Sequence, residues 1–96
     1  MRFTSENNKL ILFFEGELNS YNSEEVEKEI ESIVRANSFN SIVLDLENLN
    51  YISSAGLRII VRLKQQCDET SVRKPSNSVM DIFHMVGFEN LIKIEK

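Results

Sequence analysis

Ile42-Val43-Leu44-Asp45-Leu46-Glu47-Asn48-Leu49-Asn50-Tyr51-Ile52-Ser53-Ser54-Ala55-Gly56-Leu57 is the stretch on which the fold turns. Ile42, Val43, Leu44 and Leu46 form a nearly continuous apolar run that only Asp45 interrupts. A run of this kind suits a strand covered on both faces, the usual state of a parallel strand. Glu47 to Ser53 then reads as a loop at the strand's C-terminal end. A helix starts near Ser54, with Leu57, Ile60, Val61 and the aliphatic stem of Lys64 at helical spacing. Arg58 and Arg62 lie one turn apart on its more polar face.

The flanking segments repeat the strand-then-helix pattern. Arg2 to Ser5 is a short strand, Glu6 to Lys9 a turn rich in Asn, and Leu10 to Phe14 an apolar run of strand length, so the pair predicts a hairpin. Gly16 to Asn22 is a connection with turn chemistry. Asn22 or Ser23 caps the next helix, and Asn22 with Glu25 has the spacing of a capping box. Glu24 and Glu25 sit where the helix dipole favours negative charge. Val26, Ile30, Ile33 and Val34 share one face of this helix, opposite Glu27, Lys28, Glu29 and Glu31, and Arg35 and Asn37 fit its end. On the C-terminal side, Glu69 to Arg73 is a weak strand. Ser76, Asn77 or Ser78 caps a third helix with the stripe Val79, Ile82, Phe83 and Val86, and Gly87 stops it. Met80 and Met85 flank that stripe as core filling. Leu91, Ile92 and Ile94 make a last strand. The order β-β-α-β-α-β-α-β implies an α/β fold with a mixed, mostly parallel sheet of about four to five strands and right-handed crossovers. In such sheets function gathers at the C-terminal ends of the strands, here the turns Leu18 to Ser23 and Asn50 to Gly56.

With 96 residues, the length predicts one domain over 1–96. A chain of this size buries roughly 60–65% of its unfolded surface, which supports one core and leaves little room for a deep cavity. The formal net charge of −4 argues against nucleic acid as a direct partner. Cys67 is the only cysteine and reads as a small filler near a helix end. No signal-peptide pattern is read in the opening residues, and no run reaches the roughly 18–20 apolar residues needed to span a bilayer. A cytoplasmic location without membrane insertion is expected.

Catalytic chemistry finds no foothold. His84, the one histidine, lies in the third helix without a cysteine or carboxylate cluster at ligand spacing. Three glycines, Gly16, Gly56 and Gly87, do not make a phosphate cradle. No catalytic residue, metal site or cofactor is expected.

The turn Ser53-Ser54-Ala55-Gly56 carries two readings. In the first, Ser54 is the helix N-cap, its hydroxyl accepting from the N–H of Gly56 or Leu57, worth about 1 kcal/mol. Gly56 then lets the helix lie close to the sheet. In the second, a phosphate on Ser54 adds a charge of about −1.5 to −2 next to unpaired N–H groups and the positive end of the helix dipole. The fold tolerates that charge, and the surface presented to a partner changes.

Ile42 to Leu46 followed by Leu49 to Arg58 resembles the signature of the STAS domain, the family of bacterial anti-sigma factor antagonists and of the cytoplasmic domains of sulfate transporters. Phe14-Glu15-Gly16-Glu17-Leu18-Asn19 resembles the family's Gly-x-Leu-Asp segment, and Pro75 to Val86 with Gly87-Phe88 and Leu91-Ile92 resembles its last helix and terminal strand. The family's phosphoacceptor is the serine two residues before the glycine of the turn, which is Ser54, with Ser53 as the alternative acceptor. The chain has Ser53 where members often have Asp, Ala55 where they often have Ser or Thr, and Asn19 at the Asp of the first segment.

The resemblance implies a transcription regulator that is monomeric when free and works by partner switching. Its partners would be a serine-kinase anti-sigma factor, contacted through Asn19, Ser20, Tyr51, Ile52, Ser53, Ala55, Gly56 and Arg58, and a serine phosphatase that resets it. The alternative is an accessory STAS subunit of a signalling or transporter complex, in which Ser54 is only a cap. A small-ligand sensor is disfavoured by the short chain and its few buried polar groups.

Overall fold

A computed structural model describes all 96 residues. The strands are β1 (Arg2–Glu6), β2 (Lys9–Leu18), β3 (Ser41–Ile52), β4 (Thr70–Arg73) and β5 (Lys93–Glu95); the helices are α1 (Ser23–Ala36), α2 (Ser54–Gln66) and α3 (Asn77–Val86), with a 3-10 turn at Phe88–Asn90. The strands follow sequence order across one sheet, β1-β2-β3-β4-β5. β1 is antiparallel to β2, and every later pair is parallel. The expected element order and mixed sheet are both present.

Each parallel step moves to the next strand on the same side, so right-handed crossovers leave all three helices on one face. The core agrees with this. Leu10, Leu12, Phe14, Ile42, Leu44, Leu46 and Val72 from alternate strand positions join Ile30 of α1, Ile59, Ile60 and Leu63 of α2, and Val79 and Phe83 of α3 in one cluster. The expectation that β3 is covered on both faces is therefore corrected. Val43 is only half-buried, and the opposite face is built from the sheet alone. On it Ile11 is buried outside the core cluster, and Phe13 lies beneath the Arg2 guanidinium at 4.4 Å. Asp45 is buried there and accepts from Arg73 Nε at 2.7 Å and from the Glu47 N–H at 3.1 Å. An interrupting carboxylate thus has a partner on the next strand.

The segment expected as a loop, Glu47 to Ser53, is strand as far as Ile52, and β2 likewise runs on through Gly16 to Leu18. The pairing explains the misreading. Phe13 faces Asp45, Glu15 faces Asn48 and Glu17 faces Tyr51, so β3 takes up an extra residue at each of two bulges. Each bulge shifts the buried phase, so Leu46, Leu49 and Ile52 are buried three apart and the two-residue alternation of a strand disappears. Gly16, at φ +74°, serves the second irregularity on the β2 side. β4 ends opposite Asp45, so beyond that point only β2 and β3 continue. The N-terminus of α3 closes the free side there, where the Ser76 hydroxyl donates to the Leu49 carbonyl at 2.9 Å.

Smaller expectations change at Asn22 and Met85. Asn22 does not cap α1 with its side chain, and the capping box with Glu25 is absent. Met85 is exposed, although Met80 packs against the core as expected. His84 is exposed, with Nδ1 at 2.5 Å from a Glu89 carboxylate oxygen. Cys67 sits at the end of α2 against the core, and Gly87 ends α3 at φ +68°.

Candidate functional site

The two turns singled out in the sequence meet at the far end of the β2–β3 ribbon. The Ser53 N–H donates to the Leu18 carbonyl at 2.8 Å, which ties the start of α2 to the end of β2. Leu18 and Ile52 are both fully buried, and they close the core beneath this junction. α2 lands directly on them because residue 56 is glycine. A Cβ on Gly56 would come to 2.7 Å from Ile52 Cγ1 and 2.8 Å from Leu18 Cγ. Close approach of helix to sheet is therefore the role of Gly56, as its place in the turn suggested.

The two serines divide the work differently from the first reading. Ser53, not Ser54, is the N-cap: its extended backbone precedes the helix, and its Oγ accepts from the Gly56 N–H at 3.3 Å. Ser54 is the first helical residue, and its side chain is exposed. Assigning the cap from sequence erred by one position because adjacent serines are equally good caps. The correction leaves the Ser54 hydroxyl free of any structural bond. The N–H groups of Ser54 and Ala55, in the first turn, find no acceptor within the protein. Arg58, one turn along α2 from Ser54, is exposed and has no carboxylate partner.

The loop after β2 is built around Asn19. Its Oδ1 accepts from the N–H groups of Tyr21 and Asn22 at 2.9 and 3.0 Å. Asn22 reciprocates: its Oδ1 accepts from the Asn19 N–H at 2.9 Å, and its Nδ2 donates to the Glu17 carbonyl at 2.8 Å. This exchange explains why Asn22 is not available as a cap. Asn19 Nδ2 also reaches a Glu17 carboxylate oxygen at 3.4 Å, a contact that an aspartate in its place would turn into repulsion.

Of the expected contact residues, Ser20, Tyr51 and Arg58 are exposed, and Asn19, Ser53 and Ala55 are half-buried. Ile52 and Gly56 are both buried and shape the surface from beneath. Tyr21 was not singled out in the sequence, because nothing in a turn of polar residues marks how far a side chain projects.

Residues 2–96 match the family model described as the STAS domain. The chain belongs to the STAS domain family. This STAS domain is 34% identical over 89 residues to BtrV of Bordetella bronchiseptica, which is named for an anti-sigma factor antagonist role; the match covers 88% of this chain and 76% of BtrV. Among solved structures, an anti-sigma factor antagonist from Mycobacterium paratuberculosis superposes with a TM-score of 0.85 at 16% identity, covering 98% of this chain and 82% of that one. Unphosphorylated SpoIIAA superposes with a TM-score of 0.75 at 18% identity, covering 99% and 89%. The phosphorylated form of SpoIIAA, from Bacillus, gives 0.66 at 17% identity, covering 99% and 92%. At these identities the structural likeness carries the fold.

Proposed function

We propose that this STAS domain is an anti-sigma factor antagonist: it binds a serine-kinase anti-sigma factor, and phosphorylation of Ser54 by that kinase breaks the complex. The observation that carries this reading is the division between the two serines. Ser53 holds the helix start, and Ser54 presents an exposed hydroxyl with no structural duty on the same surface as the Asn19 loop. The name of BtrV and the existence of a phosphorylated SpoIIAA support the same assignment.

The chemistry assigns this chain a simple part. Ser54 Oγ attacks the γ-phosphorus of ATP held by the kinase, its proton passes to a base on the kinase, the bond to the β-phosphate oxygen breaks and ADP leaves. The product is a charge of about −1.5 to −2 at the first residue of α2, where the dipole and the free N–H groups stabilise anions. The fold therefore survives modification while the docking surface gains negative charge locally. A partner packed on that surface meets a charge it must desolvate, and the complex separates. A serine phosphatase restores the hydroxyl by hydrolysis.

The test is incubation with the candidate anti-sigma factor kinase and ATP, followed by intact mass and site mapping. One phosphate on Ser54 is expected, absent from Ser54→Ala and retained in Ser53→Ala. Equal phosphorylation of Ser54→Ala overturns the assignment, and modification confined to Ser53 moves it to the alternative acceptor.

A further inference from the structure

Tyr21 stands out among the exposed apolar side chains. It is 96% exposed, more than any other large apolar residue, and its hydroxyl makes no hydrogen bond within the protein. The side chain does nothing for the fold. The backbone beneath it is held firmly, because the Asn19 and Asn22 side chains make four hydrogen bonds to backbone groups of the turn that carries it. The turn in turn lies against the switch, through the Ser53 N–H and the Leu18 carbonyl. A Tyr projecting from a fixed backbone has few rotatable bonds to freeze and buries roughly 150–250 Å² when it enters a pocket. Side chains of this type, at such low ordering cost, dominate the energetics of protein interfaces.

The surroundings specify what the pocket looks like. Residues 15–25 carry Glu15, Glu17, Glu24 and Glu25 and no Lys or Arg. All four carboxylates are exposed, and only Glu24 forms an ion pair, with Lys28 at 3.7 Å, while Arg2 lines the same cleft as Glu15 and Glu17. An apolar cleft with a neutral or acidic rim would leave these charges repelled or poorly solvated.

We propose that Tyr21 is the aromatic anchor with which this STAS domain seats in an apolar pocket of its anti-sigma factor partner, a pocket rimmed by Lys or Arg side chains. The inference rests on the partner reading above and adds the residue that dominates the affinity and the charge of the surface that receives it. Anchor and switch then act on one complex from neighbouring turns: Tyr21 supplies affinity, and Ser54 supplies control.

The experiment measures binding of the full chain to the anti-sigma factor kinase by surface plasmon resonance at 50 and 500 mM salt. The variants are Tyr21→Ala, Tyr21→Phe and Glu17→Gln combined with Glu25→Gln. Tyr21→Ala should weaken binding at least tenfold, mostly through faster dissociation, while its thermal midpoint stays that of the unsubstituted chain. In phosphorylation kinetics it should raise KM and leave kcat unchanged. Tyr21→Phe should stay within threefold, since the ring is the anchor. Association of the unsubstituted chain should slow at least tenfold at the higher salt, and the double glutamine variant should lose most of that dependence. Binding of Tyr21→Ala within twofold of the original overturns the anchor and leaves the partner reading standing. Salt-independent association overturns the basic rim. If the unsubstituted chain fails to bind the kinase at all, the partner reading and the anchor fall together.

Discussion

Replacing Gly56 by alanine probes the junction on which the site is built. The added Cβ meets two fully buried side chains at 2.7 and 2.8 Å, and both contacts are to atoms close to their own backbones, Ile52 Cγ1 and Leu18 Cγ. Neither can swing aside. Overpacking of this kind costs about 1–3 kcal/mol, and two simultaneous clashes place it at the upper end. Alanine recovers up to about 1 kcal/mol relative to glycine within a helix. The net loss is about 2 kcal/mol. For a domain of this length each kcal/mol moves the thermal midpoint by about 4–8 °C, so Gly56→Ala should melt about 8–16 °C lower. Circular dichroism melts alongside urea titrations supply the measurement, the titrations checking that the slope is unchanged. An unchanged or raised midpoint would refute the close-approach account of Gly56, because propensity alone would then be acting. The same variant should lose affinity for the anti-sigma factor even well below its midpoint, since relieving the clash lifts the start of α2 away from the Asn19 loop.

The two serines should separate stability from modification. Ser53→Ala should cost about 1 kcal/mol in urea unfolding through loss of the cap, whereas Ser54→Ala should stay within about 0.5 kcal/mol of the original. Arg73→Ala should destabilise by about 2 kcal/mol, because it strands the buried Asp45 carboxylate; breaking a fully buried pair costs about 3–5 kcal/mol, and here Arg73 is one-third solvent-exposed. The exposed control Lys28→Ala should change stability by under about 0.5 kcal/mol. Glu27 is hydrogen-bonded to Arg62 through both carboxylate oxygens, at 2.6 and 2.7 Å, and this pairing holds its pKa below the usual carboxylate value. A lowered folded pKa stabilises the protein above the unfolded carboxylate pKa and ceases to do so as pH falls through the folded one. Glu27→Gln should therefore melt lower than the original at pH 7, and the gap should close in strongly acidic buffer, as thermal midpoints across a pH series would report.

Much of this architecture was legible because local chemistry and global fold agree. Val26, Ile30, Ile33 and Val34 announced α1, Gly87 announced the end of α3, and the apolar run from Ile42 announced the central strand. The reading broke down where strand periodicity does. Two bulges move the buried residues of β3 to Leu46, Leu49 and Ile52, a three-residue spacing that no strand template expects, so the part of β3 that carries the site to the end of the ribbon looked like loop. The one-sided cover of the sheet was hidden for a related reason. Asp45 and Val43 fit a doubly covered strand or an open face, and only the position of Arg73 on the adjacent strand decides between them. At the site, the position of the turn was legible. Two things were not: which serine caps the helix, since Ser53 and Ser54 are interchangeable in cap preference, and the depth of Ile52, which follows from the bulge upstream.

The most direct test of the switch installs phosphoserine at position 54 during synthesis of the protein, so that the result does not depend on a kinase accepting the site. Calorimetric titration of the anti-sigma factor kinase with the phosphorylated and unmodified chains then compares their affinities. The account predicts at least a hundredfold weaker binding for the phosphorylated chain, with its fold and thermal midpoint preserved. Equal affinities of the two forms would contradict it.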